Sequence, residues 1–122
     1  MIQGETMNNL PSIAPYYVKR AEDFIRRNAH LPLTISTIAK EIGISARSLQ
    51  RSFRDFREIT PMQYLKHTRL NYVHDELSSN HHRKITIADI ALRWGFHHLG
   101  HFASHYKRMF GETPVQTLRK SN

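Results

Sequence analysis

Apolar residues recur along this chain at helical spacing, and the same spacing comes round twice. Ile35, Ile38, Ala39 and Ile42 lead to Gly43, after which Leu49, Phe53 and Phe56 follow at i, i+4 and i+7. Some fifty residues later Ile87, Ile90 and Ala91 lead to Gly95, followed by Phe102, Tyr106 and Met109. Each copy predicts a short helix, a tight turn and a longer helix, with these apolar residues on the buried side. Such a repeat fixes the architecture before any other feature does. Its plan is that of a helix-turn-helix. The register supports a true repeat: Ala39 to Ala91 and Gly43 to Gly95 are 52 positions apart, whereas Leu49 to Phe102, Phe53 to Tyr106 and Pro61 to Pro114 are 53 apart. One residue is inserted just after the second glycine, in a turn, where the buried positions on either side keep their phase.

Helix ends follow from capping chemistry. Pro15 suits a first turn, and Tyr17, Ala21, Phe24 and Ile25 then share a side, so a first helix is expected to run to about Ala29. Thr34, Ser45 and Thr86 are expected N-caps, the last with Asp89 three residues on, and Gly43 and Gly95 end the two short helices. Thr60-Pro61-Met62-Gln63 reads as a capping box with proline at the first helical position. It opens a long helix over 61–78, carrying Leu65, Leu70, Val73 and Leu77; Thr113-Pro114 with Gln116 opens a short last helix. No stretch alternates convincingly as a strand would. The expected fold is all-α with about seven helices. A tail or linker stub at 1–14 precedes a helix-turn-helix subdomain at 15–60, a connecting helix at 61–79 and a second subdomain at 80–122, with 79–84 a polar connection.

Charge narrows the partner. The 122 residues carry a net charge of +8 and a pI near 10.2, which calls for a polyanion or a solubilising surface. No apolar run approaches the ~20 residues of a membrane span, so nucleic acid is favoured over a membrane. Cysteine is absent, which excludes disulfides and thiolate metal sites and suits the cytoplasm. No signal-peptide pattern opens the chain.

The helix expected after Ser45 concentrates this charge. At 100° per residue Arg47, Arg51 and Arg54 lie opposite Leu49, Phe53 and Phe56, with Gln50 beside them. Four arginines in eleven residues, relieved by Asp55, repel one another on a free surface, and phosphates or guanine edges relieve that repulsion. Arginine's donor fork fits guanine O6 and N7, and glutamine fits adenine N6 and N7. Arg47, Gln50 and Arg51 are accordingly candidate base readers near the helix N-terminus. Ser45, Arg54, Arg57, Lys66 and Lys107 are candidate phosphate contacts, which set affinity more than sequence choice. An ordinary solvated basic face is the competing account of such a helix alone.

Ile38-Ala39, Gly43-Ile44-Ser45, Arg47, Leu49-Gln50-Arg51 and Phe53 are followed by Pro61, Tyr64-Leu65 and Arg69-Leu70. Ile87, Ile90-Ala91, Gly95-Phe96, Phe102, Phe110-Gly111 and Thr113-Pro114 complete the pattern. Together they closely resemble the DNA-binding domain of AraC/XylS-type bacterial transcriptional regulators, over about 17–120. The resemblance implies seven helices, two helix-turn-helix units on a long central helix, and recognition helices in successive major grooves of promoter DNA. It further implies RNA polymerase and an N-terminal sensor or dimerisation domain as partners. A helix over 61–78 would be about 27 Å long, against a groove recurrence of ~34–36 Å. Two unequal readers in one chain imply an asymmetric site.

The second copy departs from the pattern. It has Gly100, Ser104 and Lys107 where the first has Arg47, Arg51 and Arg54, and members of the family often carry arginine at the position of Ser104. Leu99, His101 and Ser104 remain candidates for base contact through a thymine methyl or single hydrogen bonds, although Leu99 also falls on the core side by phase. His97, His101 and His105 recur at i, i+4 and i+8 beside His98. No cysteine and no His-Glu-x-x-His motif accompanies them, so no metal and no other cofactor is expected. Their protonation below about pH 6.5 is expected to strengthen phosphate binding; equal or weaker binding at pH 6 than at pH 8 would refute this. Trp94 is expected to brace the two helices of the second copy. No nucleophile elbow, phosphate-binding glycine loop or acidic pair points to an enzyme. A non-specific DNA-coating or architectural protein would use the same basic surface and is the alternative function.

Overall fold

The computed structural model describes residues 13–79 and 85–121, and every regular element among them is helical. In chain order these are α1 (Ile13–Asn28), α2 (Ile35–Ile42), α3 (Ala46–Arg57), α4 (Pro61–Ser78), α5 (Ile87–Arg93), α6 (Leu99–Phe110) and α7 (Pro114–Lys120). Most of the tail expected at 1–14 and of the polar connection at 79–84 lies outside the described residues. The chain divides between Lys66 and His67 into two compact units, with α4 running through the division.

Local chemistry sets the helix ends. Thr34, Ser45, Thr86 and Thr113 each have extended backbone and accept a hydrogen bond on the side-chain oxygen from the backbone N–H three residues on. That satisfies a donor the helix itself leaves open. The boxes at Thr60/Gln63 and Thr113/Gln116 both close reciprocally, at 2.8 Å and 3.0 Å in the first and 2.8 Å and 3.1 Å in the second. Gly43 ends α2 with φ +90°. α5 stops two residues short of Gly95, at Arg93, and Gly95 supplies the left-handed residue of the turn with φ +89°. The added residue of the second copy therefore lengthens the stretch between this glycine and α6.

In unit 1, α1, α2 and α3 pack on one another. Val18, Ala21 and Ile25 of α1, Ile38, Ala39 and Ile42 of α2, and Leu49 and Phe53 of α3 form the buried core. In unit 2 the core is Leu70, Val73 and Leu77 of α4, Ile90 and Ala91 of α5, and Phe102 and Tyr106 of α6. Val18, Ala21 and Ile25 stand 52 positions before Leu70, Val73 and Leu77, and all six are buried. The repeat is thus three helices long: α1 supports the first helix-turn-helix as the later part of α4 supports the second.

Two expected core residues are exposed instead. Phe56 is 40% exposed and its counterpart Met109 is 36% exposed. Helical phase gives a direction and not a partner, and both residues sit in the last turn of their helix. In unit 2 the next residue, Phe110, packs against the core instead.

Candidate nucleic-acid interface

Burial of one side of α3 decides what the other side presents. Leu49 and Phe53 have no solvent exposure, so Arg47, Gln50, Arg51 and Arg54 point outward together. Arg54 approaches Asp55 only to 3.8 Å, with both side chains largely exposed, and a pair of that kind contributes little. The start of the helix is fixed by Ser45, whose hydroxyl accepts from the Ser48 N–H at 3.0 Å and meets the Ser48 hydroxyl at 2.9 Å. The helix before it is held by Arg20 of α1, which donates to the Ile42 carbonyl at 3.3 Å. A cation there answers the negative end of α2.

Arg57 belongs to a different setting from its neighbours. Its Nε donates to Glu22 Oε2 at 2.7 Å, one terminal nitrogen donates to Glu22 Oε1 at 3.2 Å, and the other donates to the Phe56 carbonyl at 3.1 Å. The Glu22 hydrogen bond is the main cause that raises the guanidinium pKa above its ordinary value. Nothing in the local sequence signals this, because Glu22 is 35 residues away. Lys66 is half-buried on α4.

The longer helix of the second copy, α6, presents a sparser face. Phe102 and Tyr106 are buried, and Gly100, His101, Ala103, Ser104 and Lys107 are exposed. Ser104 and Lys107 share a shallow depression with Ala103, Arg108 and Thr113. Leu99 is 43% exposed despite its core-side phase. It opens the helix, one turn before the first buried residue. His97, His98 and His101 are exposed, the rings of His98 and His101 lie 5.4 Å apart, and His105 is half-buried with Nδ1 3.4 Å from Arg108.

Unit 2 holds α6 in place with polar contacts that were not legible locally. The buried Tyr106 hydroxyl donates to Thr117 Oγ at 2.7 Å, and Thr117 Oγ donates to Glu112. Glu112 also pairs with Lys120 at 2.6 Å. The lysine, then the threonine hydroxyl, draws the carboxyl below its usual range, while burial pushes the Tyr106 phenol up. Trp94 stacks on Tyr72 of α4 with centroids 4.9 Å apart, and its indole N–H donates to Glu76 at 2.7 Å. It packs against the unit 2 core, and its ring and N–H are secured by α4.

A helix-turn-helix domain model matches residues 38–120, spanning both turns and the helices α3 and α6. The chain belongs to the AraC/XylS family. Among similar curated proteins is the probable thc operon regulatory protein of Rhodococcus erythropolis, 38% identical over 86% of this chain and 32% of that protein. Another is XylDLEGF operon transcriptional activator 2 of Pseudomonas putida, 35% identical over 82% of this chain and 64% of that protein. The chain thus spans about a third to two thirds of the length of these two relatives. A probable AraC family transcriptional regulator from Rhodopseudomonas palustris CGA009 superposes with a TM-score of 0.82 at 36% identity, over 88% of this chain and 98% of that one. The all-α fold agrees with membership of this family. Among its described residues no helix is long and apolar enough to cross a membrane.

Proposed function

We propose that this AraC/XylS family chain regulates transcription in the cytoplasm by reading double-stranded promoter DNA, with α3 as the main source of sequence choice. The observation that carries this reading is the outward cluster of Arg47, Gln50, Arg51 and Arg54 on a helix anchored on its opposite side by the fully buried Leu49 and Phe53. Such a helix is held rigid by its core side and offers forked donors to a major groove. Arg47 and Arg51 are assigned to guanine edges and Gln50 to an adenine edge. Arg54, Lys66, Lys107 and the Ser45 end of α3 are assigned to phosphates, which fix register and supply salt-dependent affinity. Leu99, His101 and Ser104 on α6 add weaker contacts to a second groove. No enzymatic role is assigned. RNA polymerase and an N-terminal sensor or dimerisation domain are the further partners proposed, in line with the greater length of the relatives.

Selection from a randomised duplex pool followed by titration against the enriched duplex and a scrambled one, at equal salt, tests the reading. A specific reader is expected to prefer the enriched duplex by about a thousandfold or more. A ratio near one assigns the basic surface to non-specific coating of DNA instead.

A further inference from the structure

The two units give an internal comparison for the contact between Glu22 and Arg57. Glu22 stands 52 positions before His74 on the supporting helix, and Arg57 stands 53 before Phe110 at the end of the reading helix. In unit 2 the His74 ring stacks on Phe110 with centroids 4.4 Å apart. The same two places of the fold therefore join the supporting helix to the far end of the reading helix in both units, by an ion pair in one and by stacked rings in the other. Sequence placement alone made Arg57 a phosphate contact. Yet each of its three nitrogens already donates within the protein, and the Glu22 side chain is only 12% exposed. Moving Arg57 to a phosphate would leave a largely buried carboxylate unpaired, which is costly.

We propose that Arg57 is a positioning residue: clamped by Glu22, it fixes the C-terminal end of α3 on α1 and so aims Arg47, Gln50 and Arg51. The clamp rests on the assignment of α3 as a DNA reader, while its existence as a pair is testable without DNA. A clamp acts on sequence choice through the pose of α3. A phosphate ligand acts on affinity for every duplex and on its salt dependence.

The test compares wild type, Glu22→Gln, Arg57→Gln, the double Gln variant and Arg54→Ala, using the enriched and scrambled duplexes across a salt series, with thermal melting in parallel. The clamp predicts that Glu22→Gln and Arg57→Gln each lower the enriched-to-scrambled ratio by about threefold or more, with the double variant no worse than the poorer single one. The slope of log affinity against log salt then stays at its wild-type value in both, whereas Arg54→Ala reduces it by about 0.9. An Arg57→Gln slope lowered by about 0.9, with Glu22→Gln binding all duplexes at least as well as wild type, makes Arg57 a phosphate ligand and overturns the clamp. Additive losses of melting temperature in the double variant overturn it as well, whatever the DNA results. The exchange Glu22→Arg with Arg57→Glu is expected to recover the ratio lost by the single changes; a well-folded exchange variant that fails to do so also counts against the clamp. A wild-type ratio near one instead overturns the proposed function, and the melting cycle still decides whether the pair holds α3.

Discussion

Unit 1 holds α3 with Glu22 on Arg57 and with the rings of Phe53 and Tyr64 5.9 Å apart. At the matching places unit 2 sets His74 on Phe110 and bonds the Tyr106 hydroxyl to Thr117 at 2.7 Å. An ion pair has been exchanged for a ring stack, and a ring pair for a buried hydroxyl relay, while the three-helix frame and its capping boxes are kept. Packing constrains the volume and direction of a contact more tightly than its chemistry, provided each buried polar atom is satisfied. The exposed faces meet no such constraint. Three arginines and a glutamine on α3 correspond to glycine, alanine, serine and lysine on α6. Similar scaffolds can thus carry unequal exposed faces.

The largest expected difference between the units is in base discrimination. Arg51→Ala should cost about 1–3 kcal/mol of preference at one position of the bound site, whereas Ser104→Ala should change the preference by less than about 0.5 kcal/mol. Binding to a panel of single-position duplex variants measures both. An equal loss from Arg51→Ala on every duplex would make Arg51 a phosphate contact and narrow the gap between the readers.

The turns should separate next. Gly43 and Gly95 both have φ near +90°, but a Cβ on Gly43 meets nothing within 4 Å while one on Gly95 comes within 3.2 Å of the Arg69 guanidinium. Gly43→Ala should cost about 1–2 kcal/mol from the left-handed backbone alone, and Gly95→Ala more, because half-buried Arg69 must move. Urea melting gives the two values. Equality between them would mean that Arg69 yields without cost.

A smaller effect is expected where α3 and α6 end. Glu58 closes α3 with φ +61°, and its counterpart Gly111 closes α6 with φ +75°. Glu58→Gly should stabilise unit 1 by up to about 1 kcal/mol, as relief of the left-handed strain outweighs the greater freedom of glycine in the unfolded chain. A lower melting temperature would show that Glu58 contributes interactions that exceed its backbone strain.

Much of this frame was legible in the residues themselves. Thr34, Ser45, Thr60, Thr86 and Thr113 were recognisable as caps, and α4 begins and ends where Pro61 and Ser78 suggested. The third helix of the repeat was also written in the chain, in Val18, Ala21 and Ile25 matching Leu70, Val73 and Leu77, but the signal lies only in burial periodicity shared by two otherwise dissimilar helices. The strained Glu58 was visible only as the residue aligned with Gly111. For the candidate site, the exposed cluster on α3 followed from helical phase, while the setting of Arg57 did not.

Sequence alone determined what depends on neighbours within a turn or two: helix ends, the left-handed glycine turns, and the division of α3 into an apolar and a basic side. These are i, i+3 and i, i+4 relations, whose geometry a helix fixes by itself. Tertiary structure decided what depends on a partner across the fold. It exposed Phe56, Met109 and Leu99, whose phase pointed inward but whose positions lie in the terminal turns of their helices. It also took Arg57 out of the basic face and bound it to Glu22, 35 residues away. A side chain's direction is local, but whether a carboxylate, a ring or water awaits it there is settled only when the helices pack.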